Sequence, residues 1–251
     1  MYALITGASS GIGKEIACRL AESKIDLLLV SRRKPELDSL KAELESRFGI
    51  HAQVIPADLS REDECRRLFE ESRKYAPEIV VNNAGFGIIG EFADIALEDE
   101  LRMIRLNVEG LHILTKLFVQ SMDRGVVLNV ASMAGFLPTP RLAAYAATKA
   151  YVYSLSRAID YELRKAKKSI RVLALCPGPV DTNFSRVAGG HSAVRGMTAE
   201  RCSRIAVRGI FRNRVAILPG FGNKIARFLL RFLPLSWVFP LSYAFQKKKK
   251  D

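Results

Sequence analysis

Ala3-Leu4-Ile5-Thr6-Gly7-Ala8-Ser9-Ser10-Gly11-Ile12-Gly13 is the stretch whose reading decides the fold. Its first three residues are a short apolar strand, and residues 14–23 carry a helical pattern. Strand, glycine-rich turn and helix, in that order, aim backbone N–H groups and a helix N-terminus at one point, where a pyrophosphate can sit. Gly7, Ser9, Ser10, Gly11, Ile12 and Gly13 therefore form the candidate phosphate cradle. The spacing is G-x-x-x-G-x-G, not the commoner G-x-G-x-x-G. Its weight comes from standing directly after a strand.

The alternation continues outward. Residues 26–30 are a second strand, with Leu27-Leu28-Leu29-Val30 apolar on both faces, as a buried parallel strand requires. Residues 51–56, 79–81, 126–130, 170–175 and 215–218 read as five more. Helices are expected over 35–48, 61–75 and 199–211, with Pro35 suited to a first turn and Thr198 to an N-cap. Strands alternating with such helices imply βαβ units and a parallel sheet. The expected fold is α/β: a single-domain Rossmann-type, doubly wound parallel sheet of seven strands with helices on both faces, over residues 1–220. A basic amphipathic extension, residues 221–251, follows it. Ligands of such sheets bind beyond the carboxyl ends of the strands. Asp58-Leu59, Asn83-Ala84-Gly85, Ser132 and Pro177-Gly178 all fall there.

The second strand ends in Ser31-Arg32-Arg33. An acid at this place binds a ribose 2′-hydroxyl, whereas arginine accommodates a 2′-phosphate. Two guanidiniums and no acid predict NADP(H).

Tyr145-Ala146-Ala147-Thr148-Lys149 sets a phenol and an ammonium four residues apart, on one face of a helix. Ser132 lies upstream, at a strand end. A phenol ordinarily titrates near pH ~10. A neighbouring cation favours the phenolate and lowers that value, which makes Tyr145 an expected proton donor near neutral pH.

Taken together, the motifs resemble the short-chain dehydrogenase/reductase family over residues 3–220. They run in order: Thr6-Gly7-x-x-x-Gly11-x-Gly13, Asn82-Asn83-Ala84-Gly85, Asn107 in Leu106-Asn107-Val108, Ser132, Tyr145-x-x-x-Lys149, and Pro177-Gly178-Pro179-Val180 with Thr182. The resemblance implies interconversion of a ketone and a secondary alcohol. Tyr145 would be the acid–base residue. Lys149 would lower its pKa and bind the nicotinamide ribose, and Ser132 would hold the substrate oxygen. Asn107 would keep a helix irregularity and a proton-relaying water. Asp58 would contact the adenine, Asn83 and Ala84 the adenosine ribose, and Val180 and Thr182 the nicotinamide carboxamide, with Leu59, Gly85, Pro177 and Gly178 as further cofactor-binding residues. Many NADP-using relatives carry a basic residue within the glycine turn. Ser10 takes that place here, so Arg32 and Arg33 would carry the 2′-phosphate recognition. Residues 182–197 resemble a lid hinged at Gly189-Gly190. Pairing into a homo-dimer or homo-tetramer is likewise implied. An apolar or lipid-like carbonyl is the expected substrate, with a 3-oxoacyl-carrier or hydroxysteroid-type ketone as the alternative. From another class, the alternative is a regulatory protein that binds NADP with an idle site.

Composition bounds these readings. At 49% hydrophobic, the chain can build one sizeable α/β core and is not of disordered type. Its four cysteines are scattered and its three histidines lack metal-ligand spacing, so reduced thiols, no metal and a cytoplasmic location are expected. The net charge of +13 is uneven: residues 201–251 hold 12 Lys/Arg against one acid, Asp251. In that tail Ile225, Phe228, Leu229 and Phe232 fall on one helical face, and Pro234 ends the helix. The longest uncharged run of the tail, 232–246, is 15 residues, short of the ~20 a spanning helix needs. Docking on the core or a second subunit, and peripheral contact with the cytoplasmic face of a membrane, both stay open for it. Nucleic acid is not expected, because no binding fold accompanies the cations.

Overall fold

The computed structural model describes residues 1–184, 188, 189, 196–212 and 214–247. Gly190 of the expected hinge and residues 248–250 of the lysine run lie outside them.

The chain starts with β1 (Tyr2–Thr6), α1 (Gly11–Glu22), β2 (Asp26–Ser31), α2 (Lys34–Phe48), β3 (Ala52–Pro56), α3 (Glu62–Arg73) and β4 (Ile79–Asn82). The second half holds α4 (Leu97–Ile104), α5 (Leu111–Ser121), β5 (Arg124–Val130), α6 (Ala143–Lys165) and β6 (Ser169–Leu175). Next come a two-strand ribbon of β7 (Val180–Asp181) and β8 (Met197–Thr198), then α7 (Ala199–Phe211) and β9 (Ala216–Ile217). Two further helices close the described chain, α8 (Phe221–Leu229) and α9 (Leu235–Lys247).

Seven strands form one parallel sheet in the order β3-β2-β1-β4-β5-β6-β9. The order reverses between β1 and β4, and the crevice opens there. The two-residue period of each strand divides its side chains between two cores. Leu27 and Leu29 join α1, α2 and α7 on one face, while Leu28 and Val30 join α3 and α5 on the other. That division is why these strands are apolar throughout rather than alternating. All four cysteines are buried and unpaired. No helix among the described residues is long and apolar enough to cross a membrane.

Between α4 and α5 the helix widens into a π-turn over Arg105–Gly110. Such bulges often sit at functional sites. This one carries Asn107, fully buried.

Candidate active site

Thr6 ends β1 and joins the two halves of the crevice. Its hydroxyl donates to Val81 O (3.3 Å) and accepts from the backbone N–H groups of Asn83 (2.9 Å) and Ala84 (3.0 Å). The Asn83 side-chain amide donates to Thr6 O (2.9 Å) and Gly7 O (3.3 Å), so the end of β4 clamps the glycine turn. Gly7 and Gly11 take positive φ, 67° and 56°, which favours glycine. At Gly13 a Cβ would overlap the Gly7 carbonyl and stand 2.5 Å from Asn83 Nδ2. We expect Gly13→Ala to destabilise the protein by about 1–3 kcal/mol, since backbone rather than a flexible side chain must give way. Thermal unfolding checks this, and an unchanged midpoint would refute it.

Helix α1 starts at Gly11 with no side chain capping it and no acid in its first turn. Its leading N–H groups are thus free for an anionic ligand, and the cradle fits the pyrophosphate of a dinucleotide. Thr182 closes over it, its methyl 3.3 Å from where a Gly11 Cβ would stand. Ile12 packs inward against the core. From the end of β2, the Arg33 guanidinium crosses to the turn and donates to the hydroxyls of Ser9 (2.8 Å) and Ser10 (2.9 Å). Arg32 beside it is exposed. Asp58 Oδ1 is held by Ser60 N–H (3.1 Å) and its hydroxyl (2.8 Å), and Leu59 is buried beneath α3.

The reacting groups gather at the ends of β5 and β6. Ser132 follows β5, and its Oγ accepts from Ala134 N–H at 3.1 Å. Tyr145 and Lys149 project from the first turns of α6, and both are buried. Lys149 Nζ donates to Val130 O (2.8 Å) and stands 5.8 Å from the Tyr145 ring centre. A Cβ on Gly85 would stand 2.8 Å from Asn107 Oδ1 and 3.5 Å from Lys149 Nζ, so the bare backbone there lets both approach. The Asn107 amide brackets the backbone of Phe86: Oδ1 accepts from Phe86 N–H (3.1 Å), and Nδ2 donates to Phe86 O (2.8 Å) and to the Thr148 hydroxyl (3.3 Å). Pro177 O accepts from Met133 N–H (2.9 Å), tying the two strand ends together. Gly178 lies against the Asn223 side chain at the start of α8, and Val180 pairs with Met197.

One expectation is corrected here. Tyr145 is not pulled below the ordinary phenol value in the protein alone. Burial pushes it up to about 12, with the Ser132 hydroxyl acting weakly in the other direction. Lys149 moves down to about 8 for the same reason, burial outweighing the nearby Cys176. Both groups share a water-poor pocket that disfavours either charge, and the ammonium is turned to the Val130 carbonyl rather than the phenol.

Two contributors are absent from the sequence reading as site residues. Thr6 was legible only as the first letter of the glycine motif. Phe184 carries no periodic signal, yet its ring packs 5.4 Å from that of Tyr145, tilted by 52°. It joins Ile89, Met103, Leu142 and Ala188 in an apolar cluster around the phenol. The segment is latched by Ile89 N–H donating to Ala188 O (2.9 Å).

A dinucleotide cradle beside a half-buried serine and a buried tyrosine and lysine, at the carboxyl ends of a parallel sheet, defines a nicotinamide-dependent oxidoreductase acting on CH–OH and C=O groups. The chain belongs to the short chain dehydrogenase family, which it matches over residues 1–192. It is 34% identical over 195 residues to a very-long-chain 3-oxoacyl-CoA reductase of Anas platyrhynchos, covering 74% of this chain and 62% of that protein's length. Among solved structures it is similar to a short-chain dehydrogenase from Sphingobium yanoikuyae in complex with NADPH: 32% identity, TM-score 0.82, 93% of this chain and 96% of that one. It is also similar to a bulky-bulky ketone specific alcohol dehydrogenase from Comamonas testosteroni: 28% identity, TM-score 0.78, 93% and 94% covered.

Proposed function

We propose that the protein is an NADP(H)-dependent oxidoreductase that interconverts a ketone and a secondary alcohol, with an apolar or lipid-like carbonyl substrate. The observation that carries this is the Tyr145 phenol, set between Ser132 and Lys149 and walled by Phe184, Ile89 and Met103. Apolar walls around a proton-transfer group suit a carbonyl with hydrocarbon substituents. The nicotinamide cofactor, when bound, supplies or accepts the hydride. Ser132 holds the substrate oxygen and stabilises charge on it. Tyr145 gives that oxygen its proton in reduction and takes it back in oxidation. Lys149 holds positive charge beside the phenol and the cofactor ribose, and Asn107 fixes the Phe86 backbone that borders them. Gly7, Gly11 and Gly13 form the pyrophosphate cradle, and Arg32 and Arg33 hold the 2′-phosphate. The relative named as a 3-oxoacyl-CoA reductase supports a second reading, a 3-oxoacyl thioester as substrate. We place the protein in the cytoplasm as a homo-dimer or homo-tetramer, in peripheral contact with the cytoplasmic face of a membrane through its C-terminal extension, residues 221–251.

A screen following NADPH absorbance tests this, with NADH in parallel, against apolar ketones, steroid ketones and 3-oxoacyl thioesters. Tight NADPH binding without turnover of any of them would replace it with a regulatory, cofactor-binding role. Arg33→Ala should raise the KM for NADPH about tenfold, the scale of a charge-assisted hydrogen bond, and leave the KM for NADH unchanged. Equal effects on both cofactors would remove Arg33 from 2′-phosphate recognition.

A further inference from the structure

Helix α8 is inside out. A surface helix ordinarily turns its apolar stripe to the core and its charges to water. Here Arg227 turns to the body of the protein, its guanidinium bonded to the Tyr153 hydroxyl and stacked on Phe136 at 4.6 Å, while Lys224 and, just past the helix end, Arg231 are exposed along the same cleft. Its apolar side chains are left largely in water instead: Phe221 is 77% exposed, and Phe232, in the turn that follows the helix, 71%. Helix α9 extends this surface with Trp237 at 68% and Leu241 at 75%. It is anchored at its far end by Tyr243, whose hydroxyl donates to Glu91 (2.8 Å).

Beside this band, α7, β9 and α8 enclose a cleft of about 500 Å³. Six cations line it: Arg208, Arg212, Arg214, Lys224, Arg227 and Arg231. None of them makes an ion pair among the described residues, and residues 201–247 contain no acid. A second copy of this face would set cations against cations, which disfavours self-association through it. A nucleic acid would meet the charge but leave the aromatic band in water.

We infer that this cleft binds the phosphate head groups of an anionic phospholipid bilayer, while the outward faces of α8 and α9 enter the acyl boundary. The inference deepens the membrane contact proposed above and commits it to a place and a chemistry. An interfacial helix needs an apolar face and flanking cations, and the two occur here side by side. The cleft borders Leu218 and lies beside the Gly178–Asn223 contact, so the same docking brings the substrate end of the sheet toward the lipid.

Flotation of the full chain with vesicles is the test. It should float with phosphatidylcholine vesicles containing phosphatidylserine, not with phosphatidylcholine alone, and high salt should release it. Arg212→Glu/Arg231→Glu should lower the bound fraction at least tenfold, and Phe232→Ser should lower it at unchanged charge. Neither change touches the catalytic groups, so turnover of a water-soluble ketone should stay at the parent level. Circular dichroism checks folding, and Arg212→Gln/Arg231→Gln replaces any reversal variant that fails it. Equal flotation with neutral and anionic vesicles, or parent-level flotation of the charge variants, overturns the inference. So does a dimer abolished by Phe232→Ser with no flotation, which would assign the face to a second copy. Flotation needs no turnover, so a failure of the proposed reaction would leave it standing.

Discussion

Tyr145→Phe should lose activity by about 10²–10⁴-fold while still binding NADPH. The ring remains, so its packing against Phe184 and the apolar cluster is kept. Only the hydroxyl beside Ser132 goes, and with it the proton that a reduced carbonyl oxygen requires. The loss corresponds to about 3–5 kcal/mol of transition-state stabilisation. Stability should change little, because a buried hydroxyl without strong partners contributes little to folding. Cofactor binding followed by fluorescence separates lost chemistry from lost structure. Turnover equal to the parent enzyme's would remove Tyr145 from the mechanism.

Lys149→Met should abolish turnover and yet raise the melting temperature of the cofactor-free protein at pH 7. The lysine is 4% exposed, and burial lowers its pKa from the ordinary 10.5 to about 8. Between those values the unfolded chain binds more protons than the folded one, so the parent's stability rises with pH across that window. Below about pH 8 the folded state carries the full cost of a buried ammonium. The shift sets an upper bound of about 3 kcal/mol on that cost. Losing the hydrogen bond to Val130 O offsets part of it, so a net gain of about 1–2 kcal/mol is expected, or roughly 3 °C. Methionine retains the packing of the lysine stem and has no proton to lose. The gain should therefore be largest at neutral pH and fade as pH climbs through 8 toward 10.5. A midpoint lowered at pH 7 would show that Lys149 supports the fold rather than being tolerated for catalysis.

Much of the sheet was legible because each strand is a short apolar run that ends in a polar cluster. The strands expected at 79–81 and 126–130 appear as Ile79–Asn82 and Arg124–Val130, shifted only at their ends. The β7–β8 ribbon was not legible, since a pair of two-residue strands has no periodicity to detect. Pro234 and Pro240 hid α9, where a proline is accommodated inside the helix. At the site, residue identities were legible but charge states were not. Spacing brought Lys149 onto the face of Tyr145, but only packing reveals that burial governs both titrations. Nor does a sequence disclose a contact such as Arg33 with Ser9 and Ser10, made across more than twenty residues of chain.

The strand order has a consequence for how the nascent chain is made. β1 meets β2 after a short wait, Tyr2 pairing with Asp26, but its other edge waits for Ile79, which pairs with Ala3. β4 in turn waits for Val126. During synthesis the growing sheet thus presents one open apolar border after another, and each is a template for pairing with a neighbouring polypeptide until the next segment emerges. Chaperone demand should therefore peak while roughly the first half of the chain is outside the ribosome, and ease once β5 and β6 can seal the centre.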